Sequence, residues 1–281
     1  MNPPADQKLP FFAYGVFKPG ELAFLQIKDM VLSCRSDTTY RGWLLIRDGL
    51  PIADLSGNDL IHGDLISFHP GLEEEAYRRI AALEPDTQYR WEVVIGEAGR
   101  ANILAGRSPK KGSVHPIGDW TGHDDPLFTA ALDVVSETLE QNRVFKEDLR
   151  PLFRLEMAYL LLWSSIERYA SLRYHLGDKA TKKVLNLASE PAFQAALLKH
   201  VQERREVQRA DDPTAKCVLD ASAPPKALAF YYQVRSNLVH RGKGVWDDHD
   251  RFEKSLDELL KIFRDTLNAA FADSKWPTGT N

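Results

Sequence analysis

Arg235 and His240 stand five positions apart in the stretch Tyr231-Tyr232-Gln233-Val234-Arg235-Ser236-Asn237-Leu238-Val239-His240-Arg241-Gly242-Lys243. Side chains of these types can do phosphate chemistry without a metal. A histidine titrating near neutrality can move a proton. An arginine can clamp two phosphate oxygens at once. Ser236 or Asn237 can bond a phosphate oxygen or orient the imidazole. Arg241 and Lys243 would extend the positive rim, and Tyr231 or Tyr232 could stack on a base. Five positions turn through about 140° of a straight helix. Arg235 and His240 therefore do not share a face, whereas Ser236 and His240 do. The plain alternative is that His240 and Arg241 complement a helix C-terminus, where cations are favoured, and that Arg235 pairs with an acid such as Glu167.

A second set lies in the first half of the chain. Tyr14-Gly15-Val16-Phe17-Lys18-Pro19-Gly20 follows an apolar run. Exposed backbone N–H groups in such a Gly/Pro loop can hold an anion such as a carboxylate. Weaker sets are His115, His123, Asp124 and Asp125, read as turn and cap residues, and Asp247-Asp248-His249-Asp250, read as a helix N-cap. Arg204, Arg205 and Arg209 are read as the solvated face of a helix.

The elements that must position these residues change character near residues 106–126. Before that stretch, Phe11–Val16, Tyr40–Arg47, Leu60–Phe68 and Tyr89–Ile95 read as strands between Gly/Pro turns. A helix with Ala76, Ile80 and Leu83 on one side ends at Glu84-Pro85. After the stretch, helices are expected at about 126–144, 151–176, 190–209, 224–241 and 248–273. In the second of these, Leu155, Tyr159, Leu162, Trp163, Ile166 and Tyr169 recur at steps of three and four and make one buried stripe. Between the halves, Pro109, Gly112, Pro116, Gly118 and Gly122 suggest a linker.

Of 281 residues, 43% are hydrophobic and 27% charged, with a net charge of −4. Collagen, long disorder and a disulfide scaffold are excluded. Residues 1–122 hold 13 basic and 16 acidic groups, and the remainder 23 and 24, so any contact with nucleic acid must be local. Eighteen consecutive apolar residues occur nowhere, and Cys34 and Cys217 show no metal spacing. A cytoplasmic location, with no membrane contact, is expected.

The Tyr14 loop, Gly42-Trp43-Leu44-Leu45, Gly63-Asp64-Leu65-Ile66, and Leu83-Glu84 before Tyr89-Arg90 together resemble the gamma-glutamylcyclotransferase-like family over about residues 9–105. That resemblance implies a small β-barrel with flanking helices. It also implies that Glu84 is the general acid/base closing a gamma-glutamyl amine into 5-oxoproline, with Tyr14, Gly15, Val16 and Phe17 as the substrate loop. One carboxyl group in a dry pocket can take the proton of the attacking amine and return it to the leaving amine. The chain departs from the family at Val16, where Thr or Ser is usual, and at Ala81, where an Asp is common.

The Arg235-x4-His240 motif, with the helix carrying Glu156, Trp163-Ser164-Ser165-Ile166-Glu167-Arg168, resembles the HEPN superfamily over about residues 127–272, its Apea-like group in particular. Active members are metal-independent endoribonucleases. The likeness implies a homodimer through the helical domain, with two motifs meeting in one cleft, and RNA as partner. His240 would be the proton-transfer group, Arg235 the phosphate clamp, and Ser236 or Asn237 the orienter. Here Ser236 replaces the usual Asn, Asp or His.

The expected architecture is α+β: a cyclotransferase-like barrel over 8–106, a linker over 107–125, and an all-α HEPN-like bundle over 126–275. The leading expectation is a dimeric ribonuclease without cofactor or metal, of defence or toxin type, whose barrel senses or regulates. The alternatives are a cyclotransferase acting through Glu84, or a non-catalytic interaction or RNA-binding protein.

Overall fold

Phe11–Ala13, buried throughout, forms β1. Strands β2 (Val31–Arg41), β3 (Trp43–Arg47), β4 (Leu50–Asp54) and β5 (Leu60–Phe68) follow, then helix α1 (Glu73–Leu83) and strands β6 (Tyr89–Gly96), β7 (Gly99–Gly106) and β8 (Val114–Ile117). The structure is a computed structural model. It describes residues 1–111, 114–142, 149–174, 180–209, 212, 214–241 and 249–277, without the side chains of 114–117, 180–181 and 239–241. The chain divides into two compact units. One comprises Met1–Pro126, Ser171–Gly177 and Phe271–Asn281, the other Leu127–Ala170 and Asp178–Ala270.

In the first unit the eight strands make one curled sheet in the order β2-β5-β1-β7-β4-β3-β8, with β6 also on β7. Strand β7 is the branch point. One edge pairs antiparallel with β6 along its whole length, from Gly96↔Gly99 to Tyr89↔Gly106. The other edge pairs in parallel first with β1, at Phe11↔Asn102, and then with β4, at Ala53↔Ala105. The sheet therefore forks between β1 and β4. Phe12, Tyr14, Tyr40, Leu44, Ala53, Ile61, Ile103 and Trp120 pack together as a core cluster.

Helix α1 opens on Glu73, Glu74 and Glu75, which suit a helix N-terminus. Its buried residues Ala76, Tyr77, Ile80 and Ala81 lie on one face. It stops because Glu84 precedes Pro85, and the proline ring drives the residue before it out of helical geometry. Glu84 accordingly has φ −95° and ψ 126°.

The second unit holds α2 (Ala130–Gln141), most of α3 (Arg150–Arg173), α4 (Ala180–Leu185), α5 (Pro191–His200), β9 (Arg205–Gln208), β10 (Lys216–Leu219), α6 (Pro224–Arg241) and most of α7 (His249–Asp273). The six residues of the α3 stripe are all buried. Among the described residues no helix is long and apolar enough to cross a membrane.

Three expectations are corrected. The helix expected over 190–209 ends at His200, and Val201 is already extended. Residues 205–208 instead pair with 216–219 as a hairpin. Past Leu197 the run Glu203-Arg204-Arg205-Glu206 offers no apolar face to extend the helix. Arg205 consequently lies on a strand and not on a solvated helix face. The stretch 107–125 is more than a linker: β8 pairs with β3, and Trp120 is buried with its indole N–H donated to Gly49 O at 3.1 Å. The first strand ends at Ala13, so the Tyr14–Phe17 segment is loop.

Candidate functional site

Tyr14 leaves β1 at the fork. Its hydroxyl donates to Leu104 O on β7 at 2.5 Å and accepts from Ala53 N on β4 at 3.4 Å. The phenol thus supplies the donor and acceptor that neighbouring backbone would supply in an unbroken sheet. Burial pushes its pKa well above the ordinary value. The nearby Tyr89 and Glu84 raise it further, and the Ala53 N–H partly offsets them. Tyr89 and Glu84 thus both lie within electrostatic reach of Tyr14. Tyr89, buried, donates to Pro51 O at 3.1 Å. Gly15 packs against the same proline, since a Cβ there would meet Pro51 Cγ at 2.8 Å.

The loop after Tyr14 is anchored by its side chains and carbonyls. Phe17 is buried edge-on to Phe11, and Val16 packs on the core cluster. Gly15 O accepts from Lys18 N, and Val16 O from Ala23 N. The N–H groups of Gly15, Val16 and Phe17 form no hydrogen bond among the described residues. Three backbone donors next to Tyr14 are thus unspent among the described residues. Val16, without a hydroxyl, contributes packing and its main chain.

Lys18 Nζ pairs with Asp119 Oδ1 at 2.5 Å and donates to Trp120 O at 3.0 Å. Glu21 Oε2 accepts from Gly122 N at 2.6 Å. Its carboxyl is buried, and burial pushes its pKa up to about 7 against the opposing pull of the Gly122 N–H and Lys18. Burial likewise raises Asp64 to about 6. Thr121 and Asp124 form a capping box, and His123 lies against the Phe271 ring. Among the described residues no group of three or more His, Cys, Asp or Glu could hold a metal ion.

The α6 motif is placed differently. Arg235 Nη2 lies 3.9 Å from Glu167 Oε1, and the guanidinium is 6.0 Å from the Tyr232 ring. Its Nε is buried and has no hydrogen-bond partner among the described residues. Asn237 is buried. It donates to Gln208 O and accepts from Gln233 Nε2, each at 2.8 Å. Tyr231 is fully buried and donates to Glu258 Oε2 at 3.1 Å, so it offers no ring to a base. Tyr232 is half-buried and edge-on to Trp163, and Ser236 is half-buried. The side chains of His240 and Arg241, and all of Lys243, lie outside the described residues.

Beneath this motif lies a charged pair the sequence reading missed. Arg205 donates through both terminal nitrogens to Glu258, with Nη1 to Oε1 at 3.0 Å. Both side chains are largely buried. Nothing local in the sequence announces this pair, because the partners are 53 positions apart.

No protein-family model and no curated protein matches this chain. One solved structure, of an uncharacterized protein from Pyrococcus horikoshii, aligns with 49% of this chain and 99% of its own, at 18% identity and a TM-score of 0.30. So loose a likeness carries no argument about fold or function.

Proposed function

We propose that the first unit is a gamma-glutamylcyclotransferase-like barrel that closes a gamma-glutamyl amine into 5-oxoproline. What supports this reading is the loop after Tyr14, whose Gly15, Val16 and Phe17 N–H groups form no hydrogen bond among the described residues, together with a Glu84 carboxyl within electrostatic reach of Tyr14. Those donors suit the α-carboxylate of a glutamyl group. The α-amine then attacks the γ-carbonyl carbon. The new N–C bond closes the five-membered ring, and the γ-amide C–N bond breaks. Glu84 takes the proton from the attacking nitrogen and gives it to the departing amine, so no water, metal or oxidant enters. Tyr14 is excluded from proton transfer because its hydroxyl is committed on both sides to backbone. Release of 5-oxoproline from gamma-glutamyl amines, compared between wild type and Glu84→Gln, tests the reading.

A second activity, the HEPN-type ribonuclease, is favoured by one observation. Among the described residues Arg235 has one ion pair, at 3.9 Å, and a contact with the Tyr232 ring, and its buried Nε has no hydrogen-bond partner. Such a guanidinium retains donors for a phosphate. In this reading a homodimer cleaves RNA without metal, with His240 moving the proton, and Asn237 fastens α6 to β9. RNA cleavage in EDTA that survives in His240→Ala would dismiss it.

A further inference from the structure

Trp43 and Asp54 stand directly opposite each other at the open end of the β3–β4 hairpin. The next pair, Leu44 and Ala53, points into the core cluster, so Trp43 and Asp54 lie on the other face of the hairpin. Asp54 is nevertheless buried, its side chain only 6% exposed. Its Oδ1 is fixed by Ser56, which donates its N–H at 3.0 Å and its hydroxyl at 2.8 Å. Its Oδ2 is buried and accepts no hydrogen bond among the described residues. Gly57 packs against the indole, since a Cβ there would meet Trp43 Cγ at 2.5 Å. A turn closed by Lys111 N–H on Ser108 O at 3.0 Å carries Lys110 to this face. Lys110 Nζ stops 3.7 Å from Oδ2 and 4.9 Å from the centre of the Trp43 ring, with its side chain 65% exposed.

A carboxylate sunk this far is costly without a cation in contact. Lys110 is the cation at hand, yet it comes in from solvent and halts short of hydrogen-bond distance. A carboxylate oxygen beside an indole face is a two-part recognition element for an ammonium group, and the chain's own lysine is its loose tenant. We propose that Asp54 and Trp43 form a binding position for an alkylammonium ligand, which displaces Lys110. No residue of this position belongs to the Glu84 site, so either can fail alone.

The test is proton–nitrogen NMR on the full chain, following the Trp43 indole N–H, which is assigned by its loss in Trp43→Phe. Protonated n-butylamine mimics the lysine stem, N-acetyl-lysine methylamide mimics a lysine within a peptide, and n-butanol is the uncharged control. Both amines should shift the signal saturably and n-butanol should not. The tighter amine names the source, a free amine or a peptide lysine. Asp54→Asn, which keeps the acceptor for Ser56, should weaken binding about tenfold or more. Lys110→Ala removes the tenant and should tighten binding about threefold, because a contact this long and exposed is weak. Should Asp54→Asn fail to fold, the comparison of wild type with Lys110→Ala still decides. No saturable shift in either of those two proteins, equal affinity in both, or an equal response to n-butanol would overturn the position.

Discussion

The fork in the first unit and the α6 motif in the second invert each other. The fork is scattered in sequence yet joined in space: Tyr14 bonds both Leu104 on β7 and Ala53 on β4 where β7 changes partner from β1 to β4, and Tyr89 and Glu84 lie within its electrostatic reach. The α6 motif is contiguous in sequence, yet several of its members are already occupied. Asn237 is bonded to β9, Tyr231 to Glu258, and Arg235 leans on Glu167. A cluster of suitable residue types becomes a site only where neighbours leave its donors unspent. By that measure the Tyr14 loop is the better placed of the two.

The sharpest stability difference should come from the buried pair beneath α6. Glu258→Ala strands the Arg205 guanidinium and should cost about 3–5 kcal/mol in chemical denaturation. A loss of less than about 1 kcal/mol would show that the second unit does not depend on this pair.

Next comes the pH response of the first unit. Glu21 titrates at about 7 when folded, against an ordinary 4.5. Between those values the unfolded carboxyl has already released its proton while the folded one retains it. Stability should therefore fall as pH rises from about 4.5 to about 7, by about 3 kcal/mol. Asp64 adds a loss of the same sign over the lower part of that window. Glu21→Gln keeps an acceptor for Gly122 N–H and should flatten most of the slope in thermal melts. An unchanged slope would place the titrating group elsewhere.

Tyr14→Phe removes both bonds that bridge the fork and should cost about 1–3 kcal/mol. A neutral result would mean that water or a backbone shift satisfies Leu104 O and Ala53 N equally well. The smallest effect is expected at Glu167→Ala. Its contact with Arg235 is long and partly exposed, so its stability cost should stay below about 1 kcal/mol. A larger loss would turn Arg235 into a structural residue and weaken the nuclease reading further.

Much of the fold could be read from residue pattern. Leu60–Phe68 and Pro224–Arg241 coincide with the expected strand and helix, and the α3 stripe is buried as its three-and-four spacing requires. Most of β2 and the strands β4, β7, β8, β9 and β10 fall outside the four expected strands, and two of them show why. Strand β7 is buried on both faces from Ala101 to Gly106, so it shows no alternation. Strand β8 carries Pro116 at the end of the sheet order, where proline is tolerated but reads as a breaker. At the site, the Tyr14 loop was legible from its Gly and Pro residues. Tyr14's role in closing the fork was not, because its partners are backbone groups that no side-chain pattern encodes.

The most direct test of the central claim is 5-oxoproline released by the full chain from a panel of gamma-glutamyl amines, with Glu84→Gln alongside. Wild type should turn over at least one amine, and Glu84→Gln should lose about a hundredfold or more of that rate while keeping the wild-type melting temperature. Equal rates in the two proteins, or no release by either, would contradict the proposal that the fork is an active site.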